Sequence, residues 1–132
     1  MTYMQVFLSY ARSDEAFAKS LSAELSKHGI SVWLDEEQIL PGENLHQRIA
    51  EALAKSNAMV VLISPEAMNS QFVRSEIEYA LGNPKYEGRL FPVEVRPTKQ
   101  APWILDKLQR FNASQGAKKI SQSIAHALSE VA

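Results

Sequence analysis

The stretch AMVVLI, residues 58–63, is apolar at every position and decides the class of fold. An uninterrupted apolar run of this length is typical of a parallel strand that helices cover on both faces. Other short apolar runs occur before and after it along the chain, and stretches with helical periodicity separate them. This alternation predicts an α/β domain in which a parallel sheet lies between two layers of helices.

The flanking segments supply the other strands and the helices that connect them. The first helix is predicted to begin at an N-cap, Ser13, and to end at Gly29. The predicted strands are Gln5–Ser9, Ile30–Leu34, Ala58–Ile63, Leu90–Val95 and a short run near Gln109–Phe111. Five such strands suit a flavodoxin-like, doubly wound parallel sheet with helices on both faces, for which one of the commonest strand orders is 2-1-3-4-5.

The composition is that of one soluble globular domain, which we assign to residues 1–132, with 45% hydrophobic and 22% charged residues. The net charge of −1 comes from 14 basic and 15 acidic residues that form no run of like charge. We therefore expect neither nucleic acid nor a membrane surface as a partner. No apolar stretch approaches the roughly 18 residues of a membrane span, and the start lacks a signal-peptide pattern, so we expect a cytoplasmic protein.

Metal and thiol chemistry have little support in the sequence. The chain has no cysteine, which excludes thiolate nucleophiles and cysteine-ligated metal sites. Its three histidines, His28, His46 and His126, are far apart and lie in helical patterns, where solvated surface residues are expected. No metal site is predicted.

The strand order 2-1-3-4-5 would create a switch point between the first and third strands. Ligands of open α/β sheets bind at the carboxyl ends of the strands beside such a point. The loop that begins at Ser9 and the loop that begins at Ser64 would meet there, and the acidic loop of residues 35–44 would open on the same edge. We therefore expect the functional site at this edge.

The segment SQFVRSE, residues 70–76, follows the third strand and places Phe72 one helical turn before Glu76. At about 100° per residue, Glu76 lies about 90°, and Phe72 about 130°, from the centre of the apolar arc that is predicted to face the sheet. That arc contains Val73, Ile77, Ala80 and Leu81. Core packing therefore does not explain Phe72, and we expect the Glu76 carboxylate to lie off the core arc.

The Phe72 and Glu76 pair is suited to one kind of chemistry. An aromatic face can stack on a planar base, and a neighbouring carboxylate can bind ribose hydroxyls and stabilise positive charge at an anomeric carbon. Only one carboxylate is evident, so the leaving group must be good without an acid, as a positively charged pyridinium is. The pair therefore indicates cleavage of an N-glycosidic bond.

Three ordered segments, FLSYARSD (7–14), WLDEEQILPGEN (33–44) and ISPEAMNSQFVRSE (63–76), resemble a Toll/interleukin-1 receptor (TIR) domain. The resemblance covers essentially the whole chain. Catalytic members of that family carry W-x-x-x-E on the helix after the third strand, and its Glu cleaves NAD+. Phe72 and Glu76 have this spacing, with Phe in place of Trp. The resemblance therefore implies an NAD+ glycohydrolase or cyclase with Glu76 as the catalytic residue and NAD+ as substrate rather than cofactor.

The resemblance also implies roles for the loops around Glu76. The substrate-binding residues that it implies are Phe72, Ser9, Tyr10, Ala11, Arg12, Asp35 and Glu36, among which Arg12 would meet the diphosphate. Residues 36–44 match the BB loop, which in active assemblies reaches a neighbouring protomer, and its candidate assembly residues are Ile39, Leu40, Pro41 and Gly42. Self-association, and association with other TIR domains, is implied as a condition for activity.

The product and the biological role stay open at this level. Water attack on the ribose gives ADP-ribose, whereas attack by an adenine nitrogen or ribose oxygen of the substrate gives a cyclic ADP-ribose variant. Small TIR proteins without cysteine or a signal peptide resemble bacterial ones, which implies antiphage defence or another immune-type signalling role.

Three other function classes compete with this one. The main alternative is a non-catalytic TIR–TIR interaction module, an adaptor or effector, which shares the fold and does not need Glu76. A phosphoacceptor receiver domain is rejected because it needs an aspartate where Ser64 follows the third strand. A nucleoside deoxyribosyltransferase also uses a carboxylate in a similar fold, but no feature outside Glu76 favours it. The chain also lacks G-x-G-x-x-G and P-loop motifs, so neither a redox dinucleotide site nor a nucleotide triphosphate site is supported.

Overall fold

The computed structural model describes residues 4–34, 42, 44–98, 108 and 110–131. The strands are β1 (Gln5–Ser9), β2 (Ser31–Leu34), β3 (Ala58–Ile63), β4 (Leu90–Glu94) and β5 (Phe111–Asn112). The helices are α1 (Glu15–Ser26), α2 (Leu45–Lys55), α3 (Pro65–Met68), α4 (Gln71–Leu81) and α5 (Ala117–Val131). No helix of these described ranges is long and apolar enough to cross a membrane.

The five strands form one parallel sheet in the order β2-β1-β3-β4-β5, which confirms the predicted flavodoxin-like arrangement. The stretch at residues 58–63 is the central strand, and all six of its residues are buried. In the register of the sheet Ser9 lies beside Val61, and Ile63 lies beside Glu94. The carboxyl ends of β1, β3 and β4 therefore meet at one edge.

Successive residues of each strand point to opposite sides of the sheet. Both faces are apolar, and helices cover each of them. On one face α1 and α5 pack on β-strand residues such as Val6 and Leu8. On the other face α2 and α4 pack on residues such as Phe7 and Val61. Trp33 is 7% exposed and stacks on Phe7 with ring centroids 5.1 Å apart.

Two helices follow β3, and a serine side chain caps the start of each. The Ser64 hydroxyl accepts a hydrogen bond from the Ala67 amide at the start of α3, and the Ser70 hydroxyl accepts one from the Val73 amide at the start of α4. Each hydroxyl satisfies one of the amide groups that an isolated helix leaves without a partner. The N-cap at Ser70 fixes the start of α4 at Gln71, so that Phe72 is the second residue of the helix.

The two predicted ends of α1 are both corrected. The predicted N-cap at Ser13 is wrong, because a 3-10 turn, Arg12–Asp14, precedes the helix and α1 begins at Glu15. The Asp14 carboxylate is used in a buried contact with another loop and does not cap the helix. The predicted end at Gly29 is three residues too late, because α1 ends at Ser26 and a turn of residues 27–29 follows it. Gly29 closes that turn with a φ of 75°, which glycine adopts without strain.

The predicted orientation of α4 was partly wrong. Its buried residues are Val73, Glu76, Ile77 and Ala80, whereas Leu81 is 37% exposed. The expectation that Glu76 lies off the core arc is therefore corrected. The predicted core arc was drawn from the apolar residues of the helix alone. It could not take account of the Ser9 hydroxyl, which a distant strand supplies as a hydrogen-bond donor to the Glu76 carboxylate. Phe72 is 43% exposed, which agrees with its predicted place outside the packed face.

Candidate active site at the carboxyl end of the sheet

A buried carboxylate and a buried hydroxyl meet where β1 ends. The Ser9 hydroxyl donates a hydrogen bond to Glu76 Oε1 over 2.7 Å, although the two residues are 67 positions apart in the chain. Ser9 has no exposed surface and Glu76 is 2% exposed. Ser9 is the last residue of β1, so the strand fixes its hydroxyl in front of the middle of α4.

The burial of Glu76 is unfavourable for folding by itself. A carboxylate removed from water loses its hydration, and glutamate is almost never fully buried unless it has a polar partner. The Ser9 hydroxyl offsets part of that loss, since hydrogen bonds to a charged group are stronger than those between neutral groups. A carboxylate in such surroundings also interacts more strongly with any charge that develops beside it.

Phe72 lies on α4 one turn before Glu76 and carries its ring on the surface. At about 1.5 Å per residue, the two Cα atoms are about 6 Å apart along the helix axis. The ring centroid of Phe72 lies 5.6 Å from that of His46, and the two ring planes are inclined by 32°. His46 belongs to the first turn of α2 and is itself exposed. Sequence analysis treated His46 as a solvated residue, and no local pattern pairs it with Phe72.

A second polar cluster ties together the loops at the same edge of the sheet. The side chain of Asp14 is fully buried, accepts a hydrogen bond from the Ser64 hydroxyl over 2.6 Å, and lies 2.9 Å from an Arg96 nitrogen. Arg96 also pairs with Glu66 in the first turn of α3. The hydrogen bond from Arg96 lowers the pKa of Glu66, and the same bond raises the pKa of Arg96. One buried carboxylate thus joins the loops after β1, β3 and β4.

This cluster was not predicted, because no pattern in the sequence singles out Asp14 or Arg96. Its members come from loops that are adjacent only because β1, β3 and β4 are neighbours in the sheet.

A groove of about 980 Å³ lies elsewhere on the domain, at the amino-terminal end of β4. Its lining includes Leu81, Tyr86, Phe111 and His126 and contains neither Ser9 nor Glu76. Size alone would favour this groove as a ligand site. The buried carboxylate and the exposed ring pair are at the opposite end of the strands, so we take the carboxyl edge as the candidate site.

Comparison with known families agrees with the fold described above. The family model described as TIR domain matches residues 6–128. The chain belongs to the TIR domain family. In this TIR domain, Glu76 belongs to the F-x-x-x-E segment of residues 72–76, and its catalytic role stays a prediction from the resemblance.

Two curated relatives carry enzymatic names. The NAD(+) hydrolase TcpC of Escherichia coli O6:H1 is 23% identical over 132 residues, and the match covers 94% of this chain and 43% of that protein. The 2' cyclic ADP-D-ribose synthase BtTIR of Bacteroides thetaiotaomicron is 24% identical over 127 residues, and the match covers 95% of this chain and 42% of that protein. The TIR domain thus spans less than half the length of either relative.

A solved TIR structure shares the fold. The TIR domain of the Toll-related receptor TRR-2 from Hydra magnipapillata superposes with a TM-score of 0.74 at 20% sequence identity. The superposition covers 95% of this chain and 94% of that chain. At this level of identity the likeness supports the fold.

The four residues predicted to bind substrate at the end of β1 and just after it differ in burial. Ser9 is fully buried against Glu76, and Tyr10 is 4% exposed within the core on the face of α1 and α5. Ala11 is partly buried against the opposite face, and Arg12 is exposed in the 3-10 turn. The side chains of Ser9 and Tyr10 therefore have almost no exposed surface that could contact a ligand, whereas the side chain of Arg12 is exposed.

The predicted loop residues fall mostly outside the described part of the chain. Asp35, Glu36, Ile39, Leu40 and Pro41 lie outside the described residues. Gly42 is described: it is exposed in a turn with a φ of 88°, a conformation that suits glycine.

Proposed function

We propose that this TIR domain cleaves the bond between nicotinamide and ribose in NAD+, with Glu76 as the catalytic residue. The observation that carries the proposal is the buried Glu76 carboxylate, held by Ser9 one helical turn from an exposed aromatic ring. A buried carboxylate disfavours folding, and such groups are concentrated at functional sites. The names of the curated relatives, NAD(+) hydrolase and 2' cyclic ADP-D-ribose synthase, support the same reaction class.

The chemistry separates charge in a way that suits this carboxylate. As the glycosidic bond breaks, its electron pair leaves with the pyridinium nitrogen, which becomes neutral nicotinamide. The positive charge moves to the anomeric carbon and ring oxygen of the ribose. A carboxylate in low-dielectric surroundings stabilises that charge strongly and also accepts hydrogen bonds from ribose hydroxyls. No general acid is needed, because the leaving group departs as a neutral molecule.

The reaction is completed by a nucleophile at the same carbon. Addition of water and loss of a proton gives ADP-ribose, so that NAD+ and water yield nicotinamide, ADP-ribose and a proton. Addition of an adenine nitrogen or ribose oxygen of the same molecule gives a cyclic ADP-ribose variant and a proton. NAD+ is consumed as the substrate, and this chemistry uses no cofactor.

We assign to self-association the opening of the site to substrate. Only 2% of Glu76 is exposed, so a substrate that contacts the carboxylate must displace part of its cover. The expected role of residues 36–44 in contacts between protomers would couple this opening to assembly. Turnover per molecule should then rise with protein concentration. A role in immune-type signalling or antiphage defence in the bacterial cytoplasm stays a prediction from the family resemblance.

The test is an incubation of the protein with NAD+ at low and high protein concentration, with and without a crowding agent. Chromatography measures nicotinamide and the ADP-ribose products. Glu76→Gln keeps the size of the side chain and removes its charge, and Glu78→Gln is the matched control, because Glu78 is exposed on the same helix.

We expect nicotinamide release from the wild type and from Glu78→Gln, and at least a hundredfold less from Glu76→Gln. The co-product peak separates hydrolysis from cyclisation. Full turnover by Glu76→Gln would refute the role of Glu76. An absence of nicotinamide release even from an assembled form would refute catalysis and favour the non-catalytic TIR–TIR interaction module.

A further inference from the structure

His46 forms an exposed ring pair with Phe72 at the edge of the sheet where Glu76 lies. Among the ring pairs of the described residues, this is the one in which both members are exposed. The other three each include a ring that is buried or half-buried in the packed interior, such as Phe7 or Tyr86. The His46 contact therefore is not part of either hydrophobic core.

The positions of the two helices explain why these rings meet. His46 lies in the first turn of α2, which begins after the Asn44 N-cap, and Phe72 lies in the first turn of α4, which begins after the Ser70 N-cap. Both helices pack on the same face of the sheet. The contact between the two rings joins the first turns of these helices, so the rings form one surface that comes from two separate segments of the chain.

The ring pair is placed at a useful distance from the carboxylate. Residues four apart on a helix lie one above the other, with about 6 Å between them along the axis. In a nucleotide, the flat base is attached directly to the ribose. A base that lies on this surface would therefore have its ribose next to Glu76. An aromatic face also attracts a cation, and the base of NAD+ that must leave is a cationic pyridinium.

We propose that His46 is a substrate-binding residue that, together with Phe72, forms the wall on which the pyridinium ring of NAD+ lies. The inference rests on the proposed NAD+ cleavage and adds a residue from α2 to a site otherwise built from β1 and α4. His46 also restrains the Phe72 ring, which reduces the side-chain freedom that a substrate would otherwise have to remove on binding. The pair thus sets affinity for the base, whereas Glu76 acts on the bond that breaks.

The first experiment is a kinetic comparison of three variants in the full chain. His46→Ala should raise the KM for NAD+ by about tenfold, the size of one lost aromatic contact. The kcat should change by less than about threefold, because the carboxylate stays in place. His46→Phe keeps a flat ring and should restore the KM. His28→Ala is the control, since His28 is exposed in the turn after α1.

The second experiment observes His46 directly and does not depend on turnover. The chain has three histidines, so the imidazole proton resonances are few enough to resolve by NMR. The Glu76→Gln protein is titrated with NAD+ and, separately, with ADP-ribose, which lacks nicotinamide. We expect NAD+ to shift the His46 resonance, ADP-ribose to leave it unchanged, and the resonances of His28 and His126 to stay fixed in both titrations.

The outcomes distinguish this inference from the function on which it rests. Suppose that the wild type releases nicotinamide, that His46→Ala has the same KM as the wild type, and that NAD+ does not shift the His46 resonance. The His46 proposal is then wrong and the catalytic proposal stands. An equal shift with ADP-ribose would mean that the wall meets adenine, which also overturns the proposal. If the wild type shows neither turnover nor binding of NAD+, the proposed function fails and this inference fails with it.

Discussion

Replacing Ser9 with alanine tests how Glu76 is held in the interior. The Ser9 hydroxyl donates to Glu76 Oε1 over 2.7 Å, and both residues are buried. Ser9→Ala removes the donor without adding bulk, so the carboxylate keeps its burial and loses this hydrogen bond. A hydrogen bond to a charged group contributes about 1.5–3 kcal/mol. We expect the free energy of unfolding to fall by about 2 kcal/mol, and Tm to fall by about 6–10 °C for a domain of this size.

The assay is urea denaturation at neutral pH, followed by circular dichroism. Ser121→Ala is the matched control, because Ser121 is also fully buried but its hydroxyl bonds only to the Lys118 carbonyl, within α5. We expect Ser121→Ala to change the free energy of unfolding by less than about 1 kcal/mol, since such bonds within a helix add little stability.

A double-mutant cycle then isolates the contact between the two side chains. In a Glu76→Ala background the hydroxyl has lost its acceptor, so adding Ser9→Ala should cost no more than about 0.5 kcal/mol. If Ser9→Ala cost the same in both backgrounds, the two side chains would not be coupled, and the account of the buried pair would be wrong.

Activity gives a second, separate readout of the same pair. In a catalytically competent protein Ser9→Ala should lower kcat by about 10- to 100-fold with little change in KM, because the carboxylate loses its orientation rather than the substrate its binding surface. A raised KM with unchanged kcat would instead indicate that Ser9 contacts substrate, as the family resemblance implies.

Further predictions concern three other positions. Phe72→Trp should preserve or raise turnover, because a larger aromatic face stays on the exposed side of α4, and complete loss of nicotinamide release would show that Phe72 serves packing. Glu66→Gln should be less stable than the wild type at neutral pH, and the Tm difference should shrink as the pH falls from about 6 to about 3. Arg96 lowers the pKa of Glu66 below its ordinary 4.5, so the pair stabilises the fold above that value and the effect is lost in acid; a constant Tm difference would refute this. Tyr86→Phe should lower the free energy of unfolding by about 1 kcal/mol in urea, because the phenol donates over 2.6 Å to the Leu53 carbonyl; an unchanged value would show that this bond adds nothing.

The layered fold was predictable because its determinants are local. The run at residues 58–63 is apolar throughout, and a strand with this pattern must be covered on both faces. The helices carry apolar residues at a spacing that only one face of a helix can bury. Short connections and right-handed crossovers then leave few arrangements for five strands. The expected strand order was one of the commonest for such a fold rather than a result of periodicity, and the sheet has that order.

The orientation of α4 was only partly predictable, for a definite reason. Leu81 was assigned to the core because it is apolar, and it is 37% exposed at the last position of the helix. Glu76 was assigned to a flank because its helical angle is about 90° from the centre of the predicted apolar arc, and it is buried. The rotation of the helix follows from what the sheet offers at each point, and at the end of β1 the sheet offers the Ser9 hydroxyl.

The sequence by itself determined the parallel α/β architecture and the candidate pair Phe72 and Glu76, because periodicity and spacing are properties of neighbouring residues. The tertiary structure alone decided that Glu76 is buried against Ser9, that Asp14 joins Arg96, and that His46 stands beside Phe72. Each of these contacts joins segments that are distant in the chain. Their geometry depends on which strands are neighbours and how the helices rotate on them, and only the packed sheet and helices fix both.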